Sequence, residues 1–162
     1  MIDNKWFCEP NDQRESWCFL FLQMNDHCVI DGWEVGYGNP TMFVRKVTNR
    51  KSREREIIKE LLRHIYYCRR EGIVLIAFRD DVLPTLRTRI ILLNIEDVCL
   101  RGLNYICIEQ LLKEYFLSGT LNSSDMPELV KKMSIETSGS SQVQLLWSLF
   151  LRIGPMLPSG VI

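Results

Sequence analysis

Two adjacent aspartates, Asp80 and Asp81, directly follow the apolar run of residues 73–78. This run is rich in β-branched side chains, which predicts a strand that is buried on both faces. Open α/β sheets bind ligands beyond the carboxyl ends of their strands, so the two aspartates are candidate ligands of a divalent metal. A structural role competes with this one, in which Asp81 caps the following helix and Asp80 is a solvated neighbour.

A second pair of acids, Asp31 and Glu34, lies in another predicted strand. A spacing of three residues places two side chains on opposite faces of an extended strand, which is unsuitable for shared metal binding. A bulge or turn at Gly32 would bring the two carboxylates together. Asp97 is a further candidate, with a structural alternative as a strand-end residue near Arg101.

Basic side chains are concentrated in residues 45–101, although the formal net charge of the whole chain is zero. Such side chains contact phosphates without reading sequence, so they are candidates for nucleic-acid binding. An ordinary solvated surface is the competing interpretation, because acidic residues are interleaved with them. The candidate residues are Arg45, Lys46, Arg50, Lys51, Arg53, Arg55, Arg79, Arg87 and Arg89.

Three aromatic residues of predicted strands have two possible roles. Trp33, Tyr37 and Phe43 would stack on nucleic-acid bases if they were exposed. Aromatic side chains in strands more often belong to the hydrophobic core, which is the competing interpretation.

The helix predicted over residues 143–153 is apolar around most of its circumference. One face would cover the sheet. The other face, with Leu146, Trp147 and Phe150, would contact a protein partner or a second copy of the chain.

The elements that position these residues begin with three predicted strands, at residues 17–24, 27–38 and 41–47. Turn signals separate them at residues 25–26 and 39–40. Short turns between successive strands predict an antiparallel meander.

A predicted helix follows the meander, with Ser52 as its N-cap and Gly72 just beyond its end. The strand of residues 73–78 comes next. The helix after it has Asp81 as its predicted N-cap and Pro84 in its first turn.

The second half of the chain predicts a short strand at 94–99 and helices at 106–116, 127–133 and 143–153. A meander followed by βαβ units predicts an α/β fold with a mixed sheet flanked by helices. The predicted organisation is an arm at 1–14, a domain at 15–153 with an internal linker at 134–141, and a tail at 154–162.

The composition, with 46% hydrophobic and 25% charged residues, is that of a globular protein. The six cysteines include no Cys-x-x-Cys pair and the two histidines lie far apart, so a structural zinc site is not expected. Reduced, mostly buried thiols indicate an intracellular protein of the cytoplasm or nucleus. The first residues lack the features of a signal peptide, and no apolar run approaches the ~20 residues that span a membrane.

The order of these elements resembles that of the DEDD 3′–5′ exonuclease family, whose fold is ribonuclease-H-like. The run VLIAF followed by RDDVLPTLRTR is similar to the family's strand, acidic loop and helix with a leucine and an arginine. The stretch IEDVCLRGLNYICIEQLLKEYFL is similar to its later aspartate-bearing strand and helix, with Ile108 and Glu109 where that helix starts. The resemblance covers most of residues 17–153 and implies an exonuclease-like mixed sheet.

Active members of this family hold two divalent metals with four carboxylates, and the metals activate water and stabilise the leaving oxygen. The resemblance places two carboxylates on the first strand, where Leu20 to Met24 include no acid. It places the third at Asp81, or at Asp80 in a shifted alignment, and the fourth on the last helix, which has no acid. One carboxylate of four matches, so the resemblance implies a pseudo-exonuclease without a metal cofactor.

Degenerate exonuclease-like domains occur in RNA-handling germline proteins of the Exuperantia-like and Maelstrom-like types. The resemblance therefore implies a non-catalytic protein-interaction or RNA-binding module of a ribonucleoprotein, for example in a germline small-RNA pathway. Zero net charge and the apolar last helix favour a protein partner, including a homodimer, over RNA, and no membrane partner is expected. The alternative is an active exonuclease that uses Mg²⁺ or Mn²⁺ on Asp31, Glu34, Asp81 and Asp97.

Overall fold

The computed structural model describes residues 17–38, 44–48, 53–95, 100–115, 129, 131 and 141–157, with the backbone alone for 44–48. Its strands are β1 (Trp17–Met24), β2 (Ile30–Tyr37), β3 (Val44–Thr48), β4 (Val74–Ala77) and β5 (Tyr105–Cys107). They form one sheet in the order β3-β2-β1-β4-β5. The β1/β2 and β2/β3 pairs are antiparallel, whereas β1/β4 and β4/β5 are parallel. The predicted meander and mixed sheet are therefore confirmed.

β1 lies at the centre of the sheet because the first half of its sequence is apolar on both faces. Successive side chains of a strand point to opposite faces. Trp17 and Phe19 belong to one hydrophobic core, and Cys18 and Leu20 belong to another on the opposite face. All four side chains are buried. The sheet is therefore enclosed between two apolar layers.

The described residues form four α-helices, which cover the two faces of the sheet. They are α1 (Glu54–Glu71), α2 (Val82–Leu92), α3 (Ile108–Tyr115) and α4 (Gln142–Ile153). Residues of α1 and α2 pack in the core that contains Cys18, and residues of α3 and α4 pack in the core that contains Phe19. The predicted class, an α/β fold with helices flanking a mixed sheet, is confirmed. No helix within the described residues is long and apolar enough to span a bilayer.

The sequence predicts that α1 buries one apolar stripe, formed by Ile57, Ile58, Leu61, Leu62, Ile65 and Tyr66. The first five are buried, but Tyr66 is 36% exposed, and Cys68 completes the buried stripe in its place. α1 ends at Gly72, as predicted, because this glycine adopts a left-handed φ of 69° that side chains disfavour. Its beginning differs from the prediction. The N-cap position is occupied by Arg53, without a side-chain cap, and Ser52 lies outside the described residues.

The sequence predicts a single helix over residues 106–116, but the first residues of this stretch are a strand. Ile106 pairs with Ile76 of β4, and α3 begins only at Ile108. A short apolar run does not distinguish a strand from a helix, and here pairing with β4 decides the outcome. Phe116 lies outside the described residues.

β2 begins at Ile30 and not at His27, because the preceding turn is longer than predicted. The side-chain oxygen of Asn25 accepts hydrogen bonds from the amides of His27 and Val29, at 2.9 and 3.1 Å. Cys28 between them has a positive φ of 60°. An asparagine that bonds to the following backbone stabilises a turn at the expense of strand pairing.

Asp81 occupies the N-cap position of α2, as predicted, but its side chain makes no cap hydrogen bond. Pro84 lies in the first turn of α2, which confirms its predicted position. α4 has a capping box instead. The hydroxyl of Ser141 accepts from the amide of Gln144, and the Gln144 side chain accepts from the Ser141 amide at 2.7 Å.

Several predicted segments lie wholly or partly outside the described residues. In the predicted strand 94–99, Asn94 and Ile95 are described, and Asn94 has a left-handed φ of 51°. Of the predicted tail, Gly154–Met156 form a 3₁₀ turn and Leu157 is buried. The following predicted segments lie outside the described residues: the arm at 1–14, most of the linker at 134–141, the helix at 127–133 except residues 129 and 131, and residues 158–162 of the tail.

Candidate functional site

The carboxyl ends of β4 and β5 lie side by side because the two strands are parallel neighbours. Open α/β sheets bind their ligands at such an edge. The chain places five charged residues just beyond these strand ends, which we call the strand-end cluster: Arg79, Asp80, Asp81, Glu109 and Lys113.

Lys113 lies between two carboxylates of the strand-end cluster. Its Nζ is 3.2 Å from Oδ2 of Asp80 and 3.6 Å from Oε1 of Glu109. Glu109 is buried and accepts a long hydrogen bond of 3.5 Å from the amide of Asp80. The lysine ammonium therefore compensates the charge of both acids.

The remaining acid of the cluster, Asp81, has its own cation. The guanidinium of Arg79 donates to both carboxylate oxygens of Asp81, each at 3.2 Å. A two-pronged geometry of this kind is the preferred pairing of arginine with a carboxylate. Asp81 is therefore bonded to Arg79 and does not cap α2.

Backbone contacts fix the cluster to the two strands. The amide of Glu109 donates to the carbonyl of Phe78 at 2.8 Å, which joins the start of α3 to the end of β4. The thiol of Cys107 lies 3.4 Å from the same carbonyl, and the hydroxyl of Tyr105 lies 3.4 Å from the carbonyl of Arg79. Asp80 and Glu109 are thus brought together by the pairing of β4 with β5.

The close charges shift the titration of the cluster. The Lys113 ammonium, followed by a hydrogen bond with Glu109, holds the pKa of Asp80 below its usual value. Asp80 in turn raises the pKa of Lys113. Burial raises the pKa of both Tyr105 and Cys107, so neither is a ready base or nucleophile.

The four carboxylates of the alternative exonuclease set do not form a common group among the described residues. Glu34 is buried and accepts a hydrogen bond of 3.1 Å from the amide of Gln142, at the first turn of α4. Asp31 lies where the β1/β2 register shifts, so the expected irregularity near Gly32 is present. Asp97 lies outside the described residues.

Among the described residues, no three or more His, Cys, Asp or Glu side chains lie close enough to hold a metal ion. One oxygen of Asp31, Oδ1, is buried without a hydrogen-bond partner in the structure. Leu20 of β1 is buried, and Gln23 and Met24 are exposed at its end. The first strand therefore presents no carboxylate to the strand-end cluster.

The candidate phosphate-binding residues are distributed over several elements. Arg45 and Lys46 lie on β3, the edge strand opposite β5, in register with Val35 and Glu34. Arg53 and Arg87 are exposed, and Arg50 and Lys51 lie outside the described residues.

Three of these arginines already have protein partners. Arg79 is bonded to Asp81, and Arg55 donates to the carbonyl of Leu93 at 2.9 Å. Arg89 forms two hydrogen bonds with Glu54. Arg89 therefore belongs to a structural ion pair.

The candidate interface on α4 is largely enclosed by the protein itself. Leu146 and Phe150 are buried at 2% and 0% exposure. The ring of Phe150 packs edge-on against Trp17 and Phe19, with centroids 5.5 and 5.7 Å apart. These contacts hold α4 on β1, so of the three candidates Trp147 alone is partly exposed.

The candidate stacking residues also serve the core. Trp33 is buried, and its indole N–H donates to the carbonyl of Ile57 at 2.9 Å, so it offers no face to a base. Tyr37 is half-buried, and its hydroxyl lies 2.8 Å from Nδ1 of His64. Phe43 lies outside the described residues.

Four described cysteines form no disulfide bond. The thiols of Cys18, Cys68 and Cys107 are buried, and that of Cys28 is exposed. Burial raises the pKa of Cys18, so this thiol stays protonated at neutral pH. Cys8 and Cys99 lie outside the described residues.

Two features were missed at the level of sequence. The first is the part of the strand-end cluster contributed by α3, Glu109 and Lys113, whose spacing of one helical turn was a usable signal. The second is an open cavity of about 590 Å³ on α1, which we call the α1 pocket. Its lining residues are Arg63, Tyr66, Tyr67, Arg69 and Arg70.

A scan of the sequence against protein-family models finds no match, and searches of curated proteins and of solved structures find none either.

Proposed function

We propose that this chain is a degenerate exonuclease-like domain of ribonuclease-H-like fold that binds a partner and does not hydrolyse phosphodiesters. The order of its elements supports this proposal, because an antiparallel meander continues into parallel βαβ crossovers through β1, β4 and β5. This is the arrangement that the sequence resemblance implies.

The observation that carries the proposal is the internal neutralisation of the strand-end cluster. Lys113 compensates Asp80 and Glu109, and Arg79 compensates Asp81. Two-metal hydrolysis needs several carboxylates whose charge is directed at the metals. Here the protein's own cations occupy those interactions, and β1 supplies apolar and amide side chains in place of two further acids.

Between the two kinds of partner, the structure supports RNA more than protein. The protein-interface hypothesis rested on the zero net charge of the chain and on the apolar circumference of α4, and most of that circumference is buried in the core. An arginine- and tyrosine-lined pocket is present on α1. We therefore propose an RNA-binding module of a ribonucleoprotein.

The proposal is tested with 5′-labelled single-stranded RNA and DNA incubated with Mg²⁺, Mn²⁺ or EDTA. We expect the substrates to keep their full length in all three conditions. Metal-dependent shortening that is lost in Asp81→Ala, but kept in the exposed control Asp26→Ala, would establish the alternative, an active exonuclease. A contaminating nuclease would affect both variants equally.

A further inference from the structure

The α1 pocket is lined by basic and aromatic side chains, whereas acids and cations are paired in the strand-end cluster. Three arginines and two tyrosines line it, and no acid is among the described lining residues. The neighbouring Glu71 bonds to Arg70 at 3.1 Å, so the five lining residues and Glu71 together carry three positive charges and one negative charge. A volume of about 590 Å³ lies within the range of small-ligand pockets.

The pocket arises from the helical spacing of α1. Residues three, four and seven positions apart share one helix face, and this places Arg63, Tyr66, Tyr67 and Arg70 together. This face lies outside the buried stripe of the helix. The side chain of Arg69 lies near Gly102: a Cβ added to this glycine would be 3.8 Å from the Nε of Arg69.

The two tyrosines of the pocket differ in their exposure to solvent. Tyr67 is half-buried, and its ring packs edge-on against Tyr37 at 5.7 Å, so its position is fixed by the core. The guanidinium of Arg70 lies over the Tyr67 ring, 5.6 Å from its centroid. Tyr66 is 36% exposed, so part of its ring faces solvent on the side of α1 that lies away from the buried stripe.

Stabilisation of the carboxyl end of α1 does not explain why all five residues of the α1 pocket are present. Arg69 and Arg70 lie in the last turn of α1, where cations interact favourably with the helix dipole. Arg63 lies in the middle of the helix, beyond the range of that effect, and it is exposed. The exposed ring of Tyr66 gains nothing from the dipole.

From this combination we infer that the α1 pocket binds single-stranded nucleic acid, with phosphates on Arg63, Arg69 and Arg70 and a base on Tyr66. Arginine forms paired hydrogen bonds with phosphate oxygens, and aromatic rings accept any base by stacking. The inference deepens the proposed function and rests on its RNA-binding form. It assigns the contact to α1 and not to the basic residues of β3 or the strand ends.

Binding is measured by fluorescence anisotropy in EDTA, with a labelled single strand of about ten nucleotides as RNA or as DNA. We expect saturable binding that weakens with salt, with a log–log slope of about −2 for three phosphate contacts. Equal affinity for RNA and DNA would mean that the pocket contacts only phosphates and bases. Tighter binding of RNA would mean that the pocket also contacts the 2′-hydroxyl groups.

Charge reversal tests the phosphate contacts. Arg63→Glu is expected to weaken binding roughly tenfold, as lost phosphate attraction becomes repulsion. Arg87→Glu is the matched control, because it reverses an exposed arginine in the middle of α2, outside the pocket. Equal losses in both variants, or a loss in Arg87→Glu alone, would overturn the assignment to α1.

Aromatic substitutions test the stacking contact. We expect Tyr66→Ala to weaken binding roughly tenfold and Tyr66→Phe to restore most of it. Unchanged binding in Tyr66→Ala, together with equal competition by polyglutamate, would show a general polyanion surface and overturn the nucleic-acid assignment. Circular dichroism of each variant establishes that the helix is retained.

These outcomes separate the inference from the proposed function. Shortening of the substrate in Mg²⁺ would overturn the non-catalytic role, and the EDTA binding data would still test the pocket. Full-length substrate without saturable binding at low salt would overturn the pocket and leave the absence of hydrolysis standing.

Discussion

Two acid–base groups in this protein use the same chemistry in different surroundings. In the first, Glu54 at the start of α1 bonds to Arg89 near the end of α2, with side-chain exposures of only 8% and 19%. Glu54 also accepts a hydrogen bond of 2.6 Å from the amide of Ile30. In the strand-end cluster, by contrast, Asp80 and Lys113 are 53% and 56% exposed.

The two ion pairs differ in how well water can solvate the charge that remains when one partner is removed. Removing one partner of a buried pair leaves an uncompensated charge in a poor solvent for ions. Exposed pairs contribute about 0–1 kcal/mol, because water solvates each partner alone. The Glu54–Arg89 pair therefore joins three elements of the fold, whereas the exposed Asp80–Lys113 pair at the sheet edge contributes little to stability.

Glu54→Ala is expected to give the largest loss of stability. It leaves Arg89 without its carboxylate and the Ile30 amide without its acceptor, which should lower the free energy of unfolding by about 3 kcal/mol. Urea denaturation followed by circular dichroism measures the change. Glu56→Ala, which removes an exposed acid two residues along the same helix, should cost less than about 0.5 kcal/mol. Similar losses in the two variants would contradict the role of burial.

Glu34→Ala tests a buried acid whose partner is a backbone amide. Glu34 stabilises the first turn of α4 through the Gln142 amide, where a negative charge also complements the helix dipole. We expect a loss of about 2 kcal/mol, against less than about 0.5 kcal/mol for the control Ser148→Ala on the same helix. Denaturation is measured with and without Mg²⁺. Stabilisation by Mg²⁺ that disappears in Glu34→Ala would show that Glu34 is a metal ligand.

Much of the fold was predictable because it depends on local patterns. The apolar run of β1, the buried stripe of α1 and the left-handed Gly72 each carry a signal within a few residues. β5 was misassigned because three residues are too few to show a period, and its identity comes from pairing with β4. Local sequence patterns therefore do not predict the secondary structure of a segment whose conformation is set by pairing with a distant strand.

The candidate site was less predictable than the fold. Asp80 and Asp81 were found from sequence, but Lys113 reaches Asp80 from α3 only because β4 and β5 are parallel neighbours. The apolar circumference of α4 was compatible with a partner surface. It is buried because Trp17 and Phe19 of β1 provide aromatic partners for Phe150.

Lys113→Met is expected to have a smaller effect on stability than the two preceding variants, because Lys113 is 56% exposed. It should have a clear effect on the pKa of Asp80. Lys113 is the main cause of the lowered pKa of Asp80, so its removal should raise that pKa towards the ordinary value. Side-chain carboxyl resonances of Asp80, followed by NMR over an acid titration, measure the shift. Lys59→Met is the control, because it removes an exposed charge on α1 without changing Asp80.

The sign of the stability change follows from the direction of that shift. A carboxyl whose pKa is lower in the folded state stabilises the fold above its unfolded pKa, and the contribution disappears as pH falls through the folded pKa. The difference in stability between the wild type and Lys113→Met should therefore be present at neutral pH and vanish in acid. A difference that persists in acid would mean that Lys113 acts through the packing of its aliphatic chain. The strand-end carboxylates would then lack the internal cation on which the non-catalytic assignment depends.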